Sequence, residues 1–177
     1  TDFVAKNEDF VAAANALAAM LLEKGVDADL TSEVSDLSLK MGERLVLETP
    51  VVLEGDTIGF YIHSNHKLGA AVSLDGGSSE IAKQISMHVT AAKPSALNPS
   101  DVDQALVDAE FVIWNDELSK SGKPEAMFEK ILGGKEAKFR NSKALSHQSF
   151  VIDPSQTVEA FLNTNGAKIS NYISLNI

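Results

Sequence analysis

The 177-residue sequence has no cysteine, which excludes a disulfide framework and any thiolate-rich zinc site. Such a chain suits a reducing compartment, so cytoplasm or an organelle matrix is the expected location. Basic residues are scarce: 15 lysines and arginines face 25 aspartates and glutamates, for a formal net charge of −10. Nucleic-acid binding as the main role needs a basic stripe. The local cluster GGKEAKFRNSK is too small for one, and no direct nucleic-acid contact is expected. Long apolar runs are missing as well. The longest, VAAANALAAMLL, falls short of the roughly 20 residues needed to cross a bilayer, and no basic start leads into an apolar stretch as in a signal peptide. No membrane partner is expected.

The usual catalytic signatures are absent too. There is no G-x-x-x-x-G-K-[ST] loop and no G-x-G-x-x-G after a strand. No G-x-S-x-G elbow occurs, and there is no cysteine nucleophile. LDGGSSE and LGGKEA contain glycines but fit neither phosphate-binding template. His63 and His66 flank a hairpin tip without a carboxylate at a fitting spacing. His88 falls on or beside an apolar helix face and reads as a structural histidine. The expectation is a protein that is not an enzyme and needs neither cofactor nor metal.

What is present is periodicity. Residues 8–24 place Phe10, Ala14, Leu17 and Leu21 on one helical stripe, with Asn7 as N-cap and Gly25 just past the end. Asp2 and Phe3 then lie outside that helix, on a lead-in segment. A second helix starts at Thr31 or Ser32 and carries Val34, Leu37, Met41 and Leu45, with Gly42 inside its C-terminal half. Such a glycine costs about 1 kcal/mol against alanine and so asks for a reason. The period then changes to two. Leu45, Leu47, Val51 and Leu53 alternate with polar residues, followed by TIGFYIH and KLGAAVSL, which predicts a three-stranded antiparallel meander with EGDT and SNH as its turns.

Farther on, EIAKQISMHVTAAK reads as a helix. Residues 102–119 and 124–139 form two more, joined by the turn SGKP. SFV is a short strand candidate. The stretch after DPSQ is a helix capped by Asp153, with Pro154 at its first position. AKISNYISLNI closes the chain as a strand, with Ile169, Ile173, Leu175 and Ile177 on one face. The sum is an α+β fold: antiparallel sheet with helices packed on one face, plus an inserted antiparallel helical hairpin. Its expected segments are 1–44, with the N-terminal helices; 45–100, a β-meander with its helix; 101–145, the hairpin arm; and 146–177, a C-terminal helix and strand.

Several stretches, in one order over nearly the whole chain, resemble the elongation factor Ts family: TDFVAKNEDF, KMGERL, LEGDTIGFYIHSNHKLGAAV, ISMHVTAAKP, SGKP, SFVIDPSQTV and GAKISNYISL. Thr90 departs from the family's Met-His helix, and Thr49-Pro50 stands where a basic pair is common. The family's N-terminal helical module and the strand after it have no counterpart ahead of Thr1, so a lower affinity for the partner is expected.

The resemblance implies a guanine nucleotide exchange factor that binds elongation factor Tu·GDP and promotes GDP release during translation elongation. It implies that Asp2, Phe3 and Val4 form the intruding motif, with Phe3 wedging near the partner's magnesium site and Asp2 supplying a carboxylate. It implies partner contacts at Met41 and Gly42, at His63 and at Val151. It matches 102–145 to the family's dimerisation region and leaves a homodimer or a 2:2 complex open. From the residues alone, Phe3 has a competing place against Phe10 or Val11, and Met41 on its own apolar stripe. The alternative function is a structural or assembly subunit that keeps the fold without exchange.

Overall fold

The computed structural model describes residues 1–176 and, at Asp2, the backbone only. Ile177 and the Asp2 side chain lie outside the described residues. The chain divides into two compact units, Thr1–Val52 and Leu53–Ile177.

The first unit is helical: α1 (Asp2–Ala5), α2 (Glu8–Lys24) and α3 (Thr31–Met41). The lead-in segment is therefore not extended, since Asp2 and Phe3 belong to a one-turn helix closed by the Ala5 N–H on the Thr1 carbonyl. Asn7 caps α2 as expected, its Oδ1 accepting from the N–H groups of Asp9 and Phe10. The N–H of Gly25 returns to the Leu21 carbonyl at the other end. Asp29 Oδ1 accepts from the Thr31 N–H at 3.0 Å and so starts α3. Leu21, Leu30 and Leu37 are the buried apolar side chains of this unit among the described residues.

Gly42 is not inside a helix. Met41 ends α3, and Gly42 is its C-cap at φ +68°. The left-handed conformation, disfavoured for side chains with a Cβ, is the reason for glycine there. The alternating stretch Leu45–Leu53 forms no strand. A strand needs a neighbour for its backbone groups, and among the described residues this stretch has none.

The second unit holds one antiparallel sheet in the order β1-β2-β3: β1 (Thr57–Ile62), β2 (Leu68–Gly76) and β3 (Ala167–Asn176). The expected meander is thus a single hairpin, and the third strand arrives from the far end of the chain. Phe60 pairs with Ala71, and Ala71 with Ile173. Helix α4 (Ser79–Ala92) covers one face. It comes so close to β1 that a Cβ on Gly59 would sit 2.4 Å from the Ala82 carbonyl carbon. Val72, Leu74, Ala82, Ile85, Val89, Leu145, Phe150, Val158 and Leu162 make the core.

Helices α5 (Gln104–Ser119) and α6 (Phe128–Lys143) pack together. Gln104 bonds Arg140, and Glu117 bonds Lys135. The partners descend along α6 as they ascend α5, so the helices run in opposite directions. Trp114, Leu118 and Leu132 are buried between them. α6 starts later than expected, after a 3-10 turn at Glu125–Met127, and runs through both glycines to Lys143. SFV supplies only one bridge, Ser149 to Thr157. Asp153 does not cap α7 (Val158–Thr164). Thr157 does, its Oγ1 accepting from the Ala160 N–H, whereas Asp153 accepts from the Ser155 N–H within the preceding turn.

Candidate partner interface

The expected contact residues fall in both units, and each group is described within its own. In the first unit Phe3 is 91% exposed, so it does not pack on Phe10 or Val11. Val4 is half-buried, and its carbonyl accepts from the Asn7 N–H at 3.0 Å, which ties α1 to the cap of α2. The Thr1 hydroxyl donates to the Glu43 carboxylate, joining the motif to the residue after Gly42. Phe3, Met41 and Gly42 thereby share one end of this unit. Met41 is half-buried and Gly42 exposed. Open space surrounds the position of a Gly42 Cβ, so an approaching backbone would find room.

In the second unit His63 and Val151 line the same cleft, of about 350 Å3, with Tyr61, Leu68, Met87, Thr90, Ala91 and Lys93. The cleft follows from local geometry. The His63 N–H donates to the Leu68 carbonyl and closes the β1-β2 hairpin. Tyr61 and His63 are two residues apart along an extended segment and share a face. Their hydroxyl and Nδ1 hydrogen-bond at 3.1 Å, which orients the imidazole. Lys93 ends α4 in the left-handed conformation, φ +47°. Val151 is 42% exposed at the rim of a loop held by the Phe150 N–H on the Gln156 carbonyl and the Val158 N–H on the Gln148 carbonyl.

Sequence reasoning missed Tyr61 and Lys93 as cleft residues. The two-residue step from Tyr61 to His63 was the available signal. His88, read as structural, is fully buried; burial pushes its pKa down, and the hydrogen bond with Gln148 partly offsets that. Among the described residues no group of three or more His, Cys, Asp or Glu side chains is placed to hold a metal ion, and no helix is long and apolar enough to cross a membrane.

An α+β chain with this motif order has clear relatives. A family model described as elongation factor TS matches residues 1–177. Elongation factor Ts of Photorhabdus laumondii is 37% identical over 179 residues, covering 98% of this chain and 63% of that protein. That of Hydrogenovibrio crunogenus is 35% identical, covering 100% of the chain and 65% of the relative. That of Yersinia pestis is 37% identical, covering 100% and 64%. The chain belongs to the elongation factor Ts family and spans about two thirds of the length of these relatives.

Proposed function

We propose that this chain is the exchange-promoting part of an elongation factor Ts. It binds the GDP-loaded form of elongation factor Tu and speeds GDP release during translation elongation, in a bacterial cytoplasm or an organelle matrix or stroma. It makes and breaks no covalent bond, so it is not an enzyme in the usual sense. The observation that carries the reading is Phe3: a large aromatic, almost wholly in solvent, on a helical turn tied to the cap of α2. Burying it in a partner is worth about 2 kcal/mol. A wedge at the partner's magnesium and phosphate site opposes nucleotide binding, and the opposition is reciprocal: the factor by which the chain weakens GDP binding is the factor by which GDP weakens binding of the chain.

On this reading Asp2 supplies a carboxylate beside the wedge, Val4 seats the turn, Met41 and Gly42 receive the partner next to it, and His63 and Val151 make a further contact. The segment 1–44 carries the wedge. Segments 45–100 and 146–177 carry the cleft, and 101–145 is the family's helical arm, through which a homodimer or 2:2 complex would form. Lys93, beside His63 in the cleft lining, puts an ammonium there that would suit acidic groups on the GTPase.

Release of a fluorescent GDP analogue from elongation factor Tu tests the reading. The chain should accelerate release saturably, and Phe3→Ala should reduce the acceleration about thirtyfold, the equivalent of about 2 kcal/mol. Saturable binding with no acceleration, unchanged by Phe3→Ala, would instead support a structural subunit.

A further inference from the structure

His88 is the only histidine of the chain with both ring nitrogens engaged inside the core among the described residues. Its Nδ1 accepts from the Val151 N–H at 3.2 Å, and its Nε2 lies 3.0 Å from Gln148 Oε1. A backbone N–H can only donate, so the network assigns the proton to Nε2, which donates to Gln148. Gln148 in turn donates from Nε2 to the Ser142 carbonyl near the end of α6. Between the two anchored residues, Phe150 is buried, with its ring centroid 5.9 Å from that of His88 and 4.3 Å from that of Phe161. One imidazole thus grips the 148–151 segment at both ends, while Val151 itself and the next residue, Ile152, are exposed to solvent.

The placement on α4 separates two jobs. Met87, Thr90 and Ala91 line the cleft that holds His63 and Val151. His88, adjacent in sequence to Met87, does not line it. Replacing His88 therefore leaves the chemical surface of that wall unchanged and alters only what holds the opposite rim.

We propose that His88 is a positioning residue for partner binding, fixing the Val151 rim of the cleft through the Nδ1 hydrogen bond to the Val151 N–H; the proposal rests on the exchange-factor reading above. Phenylalanine, apolar and somewhat larger than histidine, occupies the core position but accepts nothing from that N–H, so the rim loses its register against α4. Asparagine presents its Oδ1 near the position of Nδ1 and restores the acceptor.

The test is a double-mutant cycle on the full chain, read as the concentration giving half-maximal release of a fluorescent GDP analogue from elongation factor Tu. Val151→Ala and His88→Phe should each raise that concentration about fivefold, and the double variant should raise it no more than either alone. His88→Asn should come within about twofold of the parent chain. Hydrogen exchange of the Val151 amide should quicken about tenfold in His88→Phe while the Ile85 and Val89 amides keep their protection. Should His88→Phe fail to fold, the smaller His88→Leu likewise removes the acceptor from the Val151 N–H and runs the same cycle. Multiplication of the single effects to about twenty-five-fold overturns the proposal, as does an unchanged Val151 amide. If the parent chain neither binds nor accelerates release, the exchange-factor reading has failed. That outcome differs from failure of the His88 role alone, in which the parent is active and the cycle additive.

Discussion

The two units differ in where they put their apolar side chains. The second has a core closed to water, in which Val72, Leu74, Ala82, Ile85, Val89, Leu145 and Val158 have no exposed surface and Phe150 almost none, while Phe60, Ile62, Val112 and Leu175 stay in solvent. The first buries Leu21, Leu30 and Leu37 and leaves Val11, Leu22, Val26, Leu39, Val46 and Leu47 in solvent. Between its helices runs an open apolar groove of about 220 Å3, lined by Phe10, Leu17, Leu21, Leu37 and Leu45 among others. Sheet, α4 and α7 share one core that excludes water from whole side chains, whereas the α2-α3 pair has no sheet to pack against. The lesson is that the second unit sets an exposed cleft on a fully buried core, whereas the first is held by caps and helix contact over little buried apolar surface.

That contrast breaks first at the core of the second unit. Phe150→Ala should cost about 4 kcal/mol, read as a drop in the urea midpoint of the sheet's fluorescence-independent circular dichroism signal. Gly59→Val should come next, about 3 kcal/mol, because the new side chain meets α4 backbone rather than a yielding side-chain tip. In the first unit, Leu37→Ala should cost less, about 2 kcal/mol, since its site already borders the open groove. A loss as large as that of Phe150→Ala would show the first unit to be better packed than its burial indicates.

Acid sharpens the difference, because all four histidines lie in the second unit. His88 is held below its ordinary value of 6.5, chiefly by burial. The unfolded chain therefore takes up that proton first as pH falls. The stability due to neutral His88 is fully present above pH 6.5 and is lost as pH drops below it toward the folded-state value. The urea midpoint of the second unit should decline between pH 7.5 and pH 5.5, and His88→Phe should flatten the decline. The smallest effect on stability belongs to Phe3→Ala, within about 0.5 kcal/mol of the parent, although its effect on nucleotide release is the largest proposed.

The sequence pattern marked what local chemistry determines. Asn7 and Gly25 bracket α2, the stripe Val34, Leu37 and Met41 marks α3, and Thr57–Ile62 with Leu68–Gly76 forms the hairpin that the SNH turn announces. It misled where an element depends on something distant. Leu45 to Leu53 alternate like a strand, but alternation says only which face would be buried, not that a neighbouring strand exists. Ala167–Asn176 was legible as a strand, yet nothing local names β2 as its partner. Gly42 was legible as a glycine with a purpose, and its positive φ shows the purpose to be helix termination. Of the candidate contacts, Phe3 stood out as an aromatic ahead of the first capped helix. The meeting of His63 and Val151 in one cleft depended on the fold, because the loop that carries Val151 is anchored to α4 through His88.

The strand order has a consequence for synthesis. β2 is central, and its second neighbour is β3, the register joining Gly76 to Ala167 and Leu68 to Asn176. As the chain leaves the ribosome, α2 and α3 can pair as soon as they emerge, for their contacts are close in sequence. β2 emerges early too, but one of its edges stays open while α4, α5, α6 and α7 are still being made. For that interval the nascent sheet is a two-stranded ribbon with an unpaired apolar edge, open to pairing with other chains. The protein is thus most exposed to misassembly during its own translation, and β3 is the segment whose arrival ends the risk.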